Sequence, residues 1–507
     1  MTKQFIFFSP AKLIILKAKL FSMSIRIYSS WFLLLFSIFA FGQTQPGLTF
    51  GGPDNDIGYS LCKTPTGGYL LAGSTRGYDK GSEDMFIIKL GSYGNLHWSK
   101  VYGNKHADVL RSVISIENGF LFTGQTWDGH SIRSDIYLLK IDLNGEKVFE
   151  QFYGTPSRDA GHKVIASIDG GYIILAYTRG IEPRGDFLLI KTDSFGNEMW
   201  RQNYGTELDD IAFGLFEDKE GKILIFGSIG SFYYDIHYNF HNHDADMVLI
   251  QTDPDGNVLW QNTFGEDGHD LGYDVEPAPD GGYYLFGSSQ SYGAKSFDML
   301  LIKVDEMGNK EWYRIYGGNE YEYGLSMDVN TNGELFLFGT TKSFGYSGSA
   351  DFYLLKTDEE GDIIWETTIG GNDSDFGNTV VATADSGCAV IGSTESFGAG
   401  GHDFLFVKLD KDGMIEDLLN DLPDTNSNVA IIYPNPTSQS GQVKLPNNTS
   451  VYKMDLVAAT GVLVASYKLH EPDYKFSVEH LPSGMYFYRI TNTKKNEPAF
   501  MGKLLIH

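Results

Sequence analysis

The chain has 507 residues, and its 59 glycines, 35 phenylalanines and 30 tyrosines are typical of a turn-rich β protein. Its formal net charge is −26, and residues 43–428 contain 60 acidic against 26 basic residues. A surface with this excess of negative charge repels nucleic acids and anionic lipids, so we exclude a nucleic-acid partner.

The first 42 residues have the features of a secretory signal peptide. They contain five basic residues and no acidic residue, and Arg26 precedes an apolar run over residues 31–41. Small residues at the end of this run predict cleavage before Gln43. Met23 would open a more ordinary signal peptide than the first methionine does. Because a membrane helix needs about 20 apolar residues, we expect no stable membrane span after cleavage.

The body of the chain repeats one sequence pattern seven times, at intervals of 51 to 60 residues. In the third copy, residues 186–205, it reads DFLLIKTDSFGNEMWRQNYG.

An aspartate precedes an apolar run in every copy, at Asp84, Asp135, Asp186, Asp246, Asp298, Asp351 and Asp403. A turn glycine follows, at Gly94, Gly145, Gly196, Gly256, Gly308, Gly361 and Gly413. Four positions later, six copies have an aromatic residue, at Trp98, Phe149, Trp200, Trp260, Trp312 and Trp365. A fixed period of this length predicts a repeat architecture, in which the recurring residues form the scaffold.

Each repeat contains four short strand patterns, which we name a to d, separated by turn signals. In the first copy they cover residues 59–64, 69–75, 85–90 and 96–102. Strand c is apolar almost throughout, so both of its faces need cover. Four-stranded sheets stacked around a central axis supply that cover. We therefore predict an all-β chain with a seven-bladed β-propeller over residues 43–416.

The seventh copy lacks the pattern of strand d, and a matching segment lies at the other end of the chain. Residues 48–52, LTFGG, match the end of a strand d and precede the first strand a. We predict that an N-terminal strand at 46–50 completes the last blade and closes the ring. Pro46 is tolerated there because strand d is the outer edge of a blade.

The repeated motif resembles those of several propeller families. Its K-x-D-x-x-G-N-x-x-W turn is similar to the pyrroloquinoline-quinone-type repeat, with one residue fewer between Asp and Gly, and to the sialidase Asp-box, with longer spacings. The D-G-G-Y and G-S-T signatures resemble bacterial and archaeal surface β-propeller repeats over about residues 48–416. This resemblance implies the fold and leaves the function open, because propellers serve both as binding modules and as enzymes.

A polar linker, residues 417–428, separates the propeller from a C-terminal segment, residues 429–507. The segment begins with Tyr433-Pro434-Asn435-Pro436, continues with LPSGMYFYRI at 481–490 and ends with KLLI at 503–506. These motifs resemble the C-terminal sorting domain of type IX secretion in Bacteroidetes, a small immunoglobulin-like β-sandwich. Residues 459–462, ATGV, depart from the family pattern around the glycine.

The resemblance implies a sorting signal that includes Pro434, Asn435, Pro436, Gly484, Tyr486 and Lys503. It implies the type IX secretion machinery as a partner, and passage through the periplasm and across the outer membrane. The tail is then usually removed, and the protein is released or attached to surface lipopolysaccharide. We therefore expect a secreted or cell-surface protein.

The d–a and b–c loops are the long, variable loops of each repeat, and they emerge on the same face of a propeller. Acidic residues recur on this face. One set opens strand a, at Asp56, Asp108, Asp159, Asp210, Asp270, Glu322 and Asp375, and the second is the aspartate before strand c. Because both recur, we expect them to cap backbone N–H groups at turns. The alternative is a ring of carboxylates that holds Ca²⁺ or a cationic ligand.

The fourth copy has a b–c loop about nine residues longer than the others. Its candidate binding residues are Tyr233, Tyr234, His237, Tyr238, Phe240, His241 and His243, since aromatic and polar side chains together suit a sugar. Asp235, His237, His241, His243 and Asp244 are candidate ligands of Zn²⁺ or another transition metal. A plain surface loop is the alternative. The two cysteines, Cys62 and Cys388, are interpreted as buried thiols, with a disulfide as the alternative.

Catalytic motifs are missing: the chain has no G-x-S-x-G elbow and no P-loop. We therefore interpret it as an exported propeller that binds a glycan, a protein or a surface polymer through its d–a and b–c face without catalysing a reaction. One alternative is an extracellular carbohydrate-active enzyme that uses carboxylates near the channel mouth. Another is a structural component of the envelope.

Overall fold

The protein is described by a computed structural model. It describes residues 45–76, 83–127, 129, 133–180, 185–230, 245–416, 418, 431–433, 440–445, 452–458, 463–470, 473–482, 484–493 and 497–506. Apart from a short 3₁₀ turn at Tyr346–Gly348, the secondary-structure elements of these residues are all β-strands. The all-β prediction is confirmed.

The body begins with β1 (Leu48–Phe50) and continues with seven groups of strands, which we call blades 1 to 7. Blade 1 contains β2 (Asp56–Thr64), β3 (Gly68–Thr75), β4 (Asp84–Leu90) and β5 (Leu96–Tyr102). Blade 2 contains β6 (Asp108–Ile116), β7 (Gly119–Trp127), β8 (Ser134–Ile141) and β9 (Lys147–Tyr153). Blade 3 contains β10 (Asp159–Ala166), β11 (Tyr172–Thr178), β12 (Asp186–Thr192) and β13 (Glu198–Tyr204). Blade 4 contains β14 (Ile211–Glu217), β15 (Ile223–Ile229), β16 (Asp246–Thr252) and β17 (Val258–Phe264).

The remaining blades follow the same plan. Blade 5 contains β18 (Asp270–Pro277), β19 (Tyr283–Ser289), β20 (Asp298–Val304) and β21 (Lys310–Tyr316). Blade 6 contains β22 (Glu322–Val329), β23 (Leu335–Thr341), β24 (Asp351–Thr357) and β25 (Ile363–Ile369). Blade 7 contains β26 (Asp375–Ala382), β27 (Cys388–Thr394) and β28 (Asp403–Leu409).

Blades 1 to 6 are antiparallel sheets with their four strands in chain order, so strands a to d run from the inside of each blade to its outside. Blade 7 takes its fourth strand from the N-terminal end: β1 pairs with β28, with Leu48 opposite Phe406 and Phe50 opposite Phe404. Each a strand contacts the a strands of both neighbouring blades, and β26 contacts β2. The seven sheets therefore form a closed ring, which confirms the seven-bladed propeller.

The cores of the propeller lie between neighbouring blades. Every residue of β3 and β4 is buried, whereas the outer strand β5 alternates between exposed and half-buried residues. One core cluster joins Leu70 and Ile87 of blade 1 to Phe120 and Leu139 of blade 2. A sheet that is apolar on both faces cannot be stable alone, so each blade needs a blade on either side.

The repeated glycine and tryptophan meet across the boundary between blades. Gly256, in the c–d turn of blade 4, has φ +82°, and a Cβ atom there would lie 3.0 Å from the Trp200 ring of blade 3. The Tyr204 hydroxyl of blade 3 donates a hydrogen bond to the Gly256 carbonyl at 2.7 Å. The other aromatic–glycine contacts of this kind are Trp98 with Gly145, Phe149 with Gly196, Trp260 with Gly308, Trp312 with Gly361 and Trp365 with Gly413.

The boundary where the ring closes has a different contact. Gly94 of blade 1 lies against Leu48 of the closing strand and against Leu418. Two leucines thus occupy the place that a strand d aromatic residue fills at the other boundaries. This follows from the composition of blade 7, whose outer strand is the short β1.

The C-terminal segment forms a separate set of strands: β29 (Ile431–Tyr433), β30 (Ser440–Lys444), β31 (Tyr452–Ala458), β32 (Leu463–Leu469), β33 (Asp473–Ser477), β34 (Gly484–Asn492) and β35 (Glu497–Ile506). They form a three-stranded sheet, β29-β30-β33, and a four-stranded sheet, β32-β31-β34-β35. Side chains of both sheets, among them Val443, Phe476, Leu456 and Ile490, share one core. This is the predicted small β-sandwich.

Both cysteines are free thiols. Burial raises the pKa of Cys62 to about 12 and raises the pKa of Cys388 as well, so both thiols are unreactive at neutral pH. Among the residues that the structure describes, none belongs to a helix long and apolar enough to cross a membrane.

The glycine–tryptophan contact predicts a difference between two Gly→Ala substitutions. Gly256 and Gly67 have nearly the same φ, +82° and +80°, but a Cβ atom at Gly67 meets nothing within 4 Å. Both substitutions should cost about 1–2 kcal/mol of stability because alanine is strained at positive φ. Gly256→Ala should cost about 1–3 kcal/mol more, because its methyl group presses on Trp200. Urea unfolding of the two variants measures this difference, and equal losses would show that the contact contributes nothing.

Candidate binding site in the propeller channel

Each strand a contains a β-bulge at the same position. In blade 1 the pairing of β2 with β3 shifts between Gly58 and Ser60, so Tyr59 is the residue that the bulge inserts. The seven extra residues, one per blade, are Tyr59, Arg111, His162, Phe213, Tyr273, Leu325 and Asn378. We call this set the bulge ring. Bulges often redirect a side chain towards a functional site.

All seven residues of the bulge ring line one cavity of about 1040 Å³. Since each comes from a different blade, the cavity is the central channel of the propeller. The residue before the bulge is small in most blades, and at Gly272 a Cβ atom would lie 2.6 Å from the Gly227 carbonyl of blade 4. Close approach of neighbouring blades therefore shapes the bulge as well as the local sequence does.

Residues of the bulge ring contact one another between blades. The Arg111 guanidinium lies 5.2 Å from the centroid of the Tyr59 ring. Further round, the His162 and Phe213 rings stack at 4.6 Å, and the Phe213 and Tyr273 rings stack at 5.2 Å. These contacts hold cationic and aromatic side chains in place on the channel wall.

His162 is a neutral imidazole in this setting. Burial, followed by the charge of Arg111, lowers the pKa of His162 to about 3. Its Nδ1 atom lies 2.9 Å from the Ala212 carbonyl. Because a carbonyl only accepts hydrogen bonds, Nδ1 carries the proton and Nε2 is left as an acceptor.

The carboxylates of the channel lie deeper than the bulge ring, towards the a–b turns. Asp274 forms an ion pair with Lys163 at 3.1 Å and accepts the Met327 N–H at 3.0 Å. Asp328 accepts the Ala382 N–H at 2.7 Å. Burial, followed by the charges of Asp274 and Asp328, raises the pKa of Glu276 well above its usual range. The uncharged form of Glu276 is therefore favoured at neutral pH.

The mouth of the channel, on the opposite side of the bulge ring, is formed by the long loops. It includes Arg158, Asp209 and Tyr321 from d–a loops, Arg179 after strand b of blade 3, and His402 from the last b–c loop. Phe376, the second residue of β26, also lines the cavity and is 38% exposed. The described part of the d–a and b–c face thus carries aromatic, cationic and acidic groups around one opening.

The recurring acids have a structural task. The acid that opens strand a accepts a backbone N–H from four residues earlier in every blade, for example Gly371 N–H to Asp375 at 2.8 Å. The other donors are Gly52, Asn104, Thr155, Thr206, Glu266 and Gly318. The aspartate before strand c lies beside the same turn: both Asp351 and Asp375 would overlap a Cβ atom at Gly370. Neighbouring blades therefore bring two buried carboxylates together around a glycine.

These pairs have consequences for titration. Burial, followed by the charge of Glu322, raises the pKa of Asp298 to about 6. Burial also raises the pKa of Asp56 and of Asp210 to about 6. Among the described residues, no group of three or more His, Cys, Asp or Glu side chains could hold a metal ion. Ca²⁺ binding by the recurring acids therefore stays a prediction.

The candidate residues of the fourth repeat, Tyr233, Tyr234, Asp235, His237, Tyr238, Phe240, His241, His243 and Asp244, lie outside the described residues. The structure therefore tests neither the aromatic nor the metal prediction for this loop. The bulge ring was not predicted. Its sequence signal is the third position after the acid of strand a, which changes from Tyr to Arg, His, Phe, Tyr, Leu and Asn while its neighbours recur.

Three of the predicted sorting residues lie within the described C-terminal strands. Gly484 and Tyr486 are on β34, and Lys503 is on β35, opposite Phe487 in the register. The Tyr486 hydroxyl donates a hydrogen bond to the Pro482 carbonyl at 2.7 Å. Pro434, Asn435 and Pro436 lie outside the described residues.

A comparison with protein families agrees with this part of the chain. Residues 431–506 match the model of the secretion system C-terminal sorting domain. The chain is a type IX secretion cargo with a β-propeller body. As the sorting domain implies, the cargo is exported to the cell surface or secreted. No curated protein matches the cargo significantly.

Solved structures similar to the cargo have low sequence identity to it. One is an ulvan lyase of polysaccharide lyase family PL25, with 10% identity, a TM-score of 0.48 and coverage of 75% of this chain and 99% of that one. A puromycin hydrolase has 11% identity, a TM-score of 0.48 and coverage of 78% and 59%. PorZ, a surface component of the type IX secretion system of Porphyromonas gingivalis, has 9% identity, a TM-score of 0.29 and coverage of 89% and 81%. Similarities this distant carry no information on ligand or reaction.

The raised pKa of Asp298 predicts how stability depends on pH. In the unfolded chain Asp298 has its ordinary pKa of 3.8, so the folded state binds a proton more tightly. Its contribution is present in full below about pH 4 and is lost as the pH rises through about 6. Asp298→Asn should therefore be more stable relative to the parent at pH 8 than at pH 4.5, measured by thermal unfolding. The control is Asp255→Asn, whose side chain is exposed in a c–d turn; an equal pH effect in both variants would contradict the assignment.

Proposed function

We propose that the cargo is a glycan-binding protein and that its binding site is the channel lined by the bulge ring. The observation that supports this most is the chemistry of the seven bulge positions. They are the same in backbone geometry and different in side chain, whereas the rest of the blade recurs. A repeat protein that varies one cavity-lining position keeps its scaffold and diversifies its site.

The cavity suits a carbohydrate in size and in composition. Its volume of about 1040 Å³ exceeds the several hundred Å³ of a typical small-molecule site, so there is room for several sugar units. Aromatic side chains from blades 1, 4, 5, 6 and 7 line it, and among them are Tyr59, Phe213, Tyr273, Tyr323 and Phe376. Sugar rings pack their C–H faces on such side chains. Asn378, Gln125 and the neutral His162 add groups that hydrogen-bond to hydroxyls.

The ion pairs and hydrogen bonds of the channel carboxylates favour binding without catalysis. Two of the three deep carboxylates, Asp274 and Asp328, are engaged by Lys163 and by backbone N–H groups. A carboxylate that is already paired with a cation or an N–H group is poorly placed to transfer a proton to a ligand. Surface display or secretion places the channel where extracellular polysaccharides are available to it.

The proposal predicts that one exposed aromatic residue of the cavity contributes to affinity. Phe376→Ala should weaken binding of an oligosaccharide found by glycan array about tenfold, because a stacked ring is lost. Isothermal titration calorimetry measures the change. Phe195→Ala is the matched control, since Phe195 is 71% exposed in a c–d turn at the opposite end of blade 3. Equal affinity of the two variants would exclude the channel as the site, and no binding to any glycan would exclude the function.

A carbohydrate-active enzyme is the second candidate, and one observation favours it. Glu276 is held in its uncharged form beside Asp274, and two acids with different protonation states are the usual equipment of a glycosidase. In that case Glu276→Gln should abolish turnover of a bound polysaccharide and leave its affinity within about twofold. Release of reducing ends by the parent protein measures the activity. If the parent releases none from any glycan that it binds, this candidate fails.

A further inference from the structure

Two arginine side chains line the channel without an ion-pair partner among the described residues. Arg111 belongs to the bulge ring, and Arg158 is exposed in the d–a loop that precedes β10. Arg76, Arg201, Arg314 and Arg489 form ion pairs, and none of them lines the channel. Arg179, the third arginine that lines the channel, already interacts with another residue of the chain.

Arg111 is held in place before any ligand binds. Its guanidinium stacks on the Tyr59 ring, with 5.2 Å from Cζ to the ring centroid. Its Nε atom is buried and has no hydrogen-bond partner among the described residues. A buried donor without an acceptor is unfavourable, so an acceptor supplied by a ligand is favoured. Because the stack already restricts the side chain, little conformational freedom is lost on binding.

The charged groups around Arg111 and Arg158 have other partners. Both Arg111 and Arg158 lower the pKa of His162, which places the two guanidinium groups near one imidazole that carries no charge itself. Lys163, which also lines the channel, is already paired with Asp274 at 3.1 Å. Asp209 and Asp210 line the channel too, and they accept the Gly185 N–H at 2.6 Å and the Gly230 N–H at 3.0 Å. Neither acid forms an ion pair with Arg111 or Arg158 in the described part of the chain.

Arg111 and Arg158 differ from the rest of the propeller, in which acidic residues far outnumber basic ones. Residues 43–428 contain 60 acidic and only 26 basic residues, so acidic partners for two arginines are abundant in the chain. Even so, Arg111 and Arg158 form no ion pair with any described residue, and they line the cavity from neighbouring blades. An anionic group would neutralise both.

We propose that the glycan bound in the channel is acidic and that Arg111 and Arg158 bind its carboxylate or sulfate group. This inference rests on the proposed function and names its ligand class. A guanidinium donates two parallel hydrogen bonds to a carboxylate or sulfate, which a neutral hydroxyl cannot accept in the same way. The acidic excess over residues 43–428 repels the same polymer, so the two arginines give the channel an advantage over the rest of the propeller surface.

Binding of three oligosaccharides of equal length to the mature full chain tests the inference. The probes are an oligouronate, a sulfated galactan and the corresponding neutral galactan. We expect the acidic probes to bind at least tenfold more tightly than the neutral one at low salt, with an advantage that shrinks as salt rises. Preference for the uronate assigns a carboxylate as the recognised group, and preference for the sulfated probe assigns a sulfate.

If the neutral probe binds as tightly as both acidic probes, the inference is wrong and the proposed function stands. If none binds, the inference loses its support, and the glycan array described above decides the proposed function.

Substitutions identify the arginines as the cause. Arg158→Gln and Arg111→Gln should each lower affinity for the preferred acidic probe about tenfold or more, while affinity for the neutral probe changes less than twofold. Arg201→Gln, on the outer strand of blade 3, makes the same change in net charge away from the channel and should have no effect. Arg158 is exposed, so its variant is informative even if Arg111→Gln fails to fold. Full affinity of a folded Arg158→Gln together with a folded Arg111→Lys would overturn the assignment.

Discussion

The boundary between neighbouring blades is the interaction on which the rest of this structure depends. A blade whose strands b and c are apolar on both faces needs neighbours, and glycines allow those neighbours to come close. At one kind of glycine, such as Gly256, an aromatic ring from the preceding blade occupies the space that a Cβ atom would need. At the other kind, such as Gly370, two carboxylates occupy it. The first contact buries apolar surface, and the second satisfies backbone N–H groups of the turn while it holds carboxyl groups in an environment that favours protonation. These contacts recur around the ring and make it rigid. Where the ring closes, β1 supplies the outer strand of blade 7.

Rigidity at the boundaries makes variation possible in the channel. The bulge residues stand on a backbone whose geometry is fixed by neighbouring blades, so exchanging a Tyr for an Arg or a His changes the chemistry of the wall without changing its shape. Contacts such as that of His162 with Phe213 then restrict these side chains further. A site built in this way is organised before its ligand arrives, which reduces the cost of binding.

Acidic and basic residues are distributed unevenly over the propeller. Acids are in excess over residues 43–428, and a net charge far from zero favours solubility. In the channel, Asp274, Glu276 and Asp328 lie on blades 5 and 6, Arg111, Arg158 and Arg179 lie on blades 2 and 3, and Asp209 and Asp210 lie just before β14. Arg111, on blade 2, and Glu276, on blade 5, therefore belong to different sides of the channel wall. A ligand with both an anionic group and hydroxyls would find different partners on the two sides.

The sequence by itself determined the number of blades, the missing outer strand of blade 7 and the sorting domain, because each of these depends on patterns that recur or lie close together in the chain. The repeat period, the alternation of apolar and polar residues and the turn residues are local signals. Asp, Gly and Trp recur because they form the contacts at the boundaries between blades. The location of the candidate site could not be predicted from such local signals. Sequence reasoning looked for a long departure, at residues 231–244, whereas the channel is lined by single residues about 50 positions apart, such as Arg111 and His162. Only the tertiary structure decides that they share a cavity, because closing the ring brings one position of every blade to the same axis. The same holds for the lack of an ion-pair partner of Arg111 among the described residues, since it depends on which blades face each other across the channel.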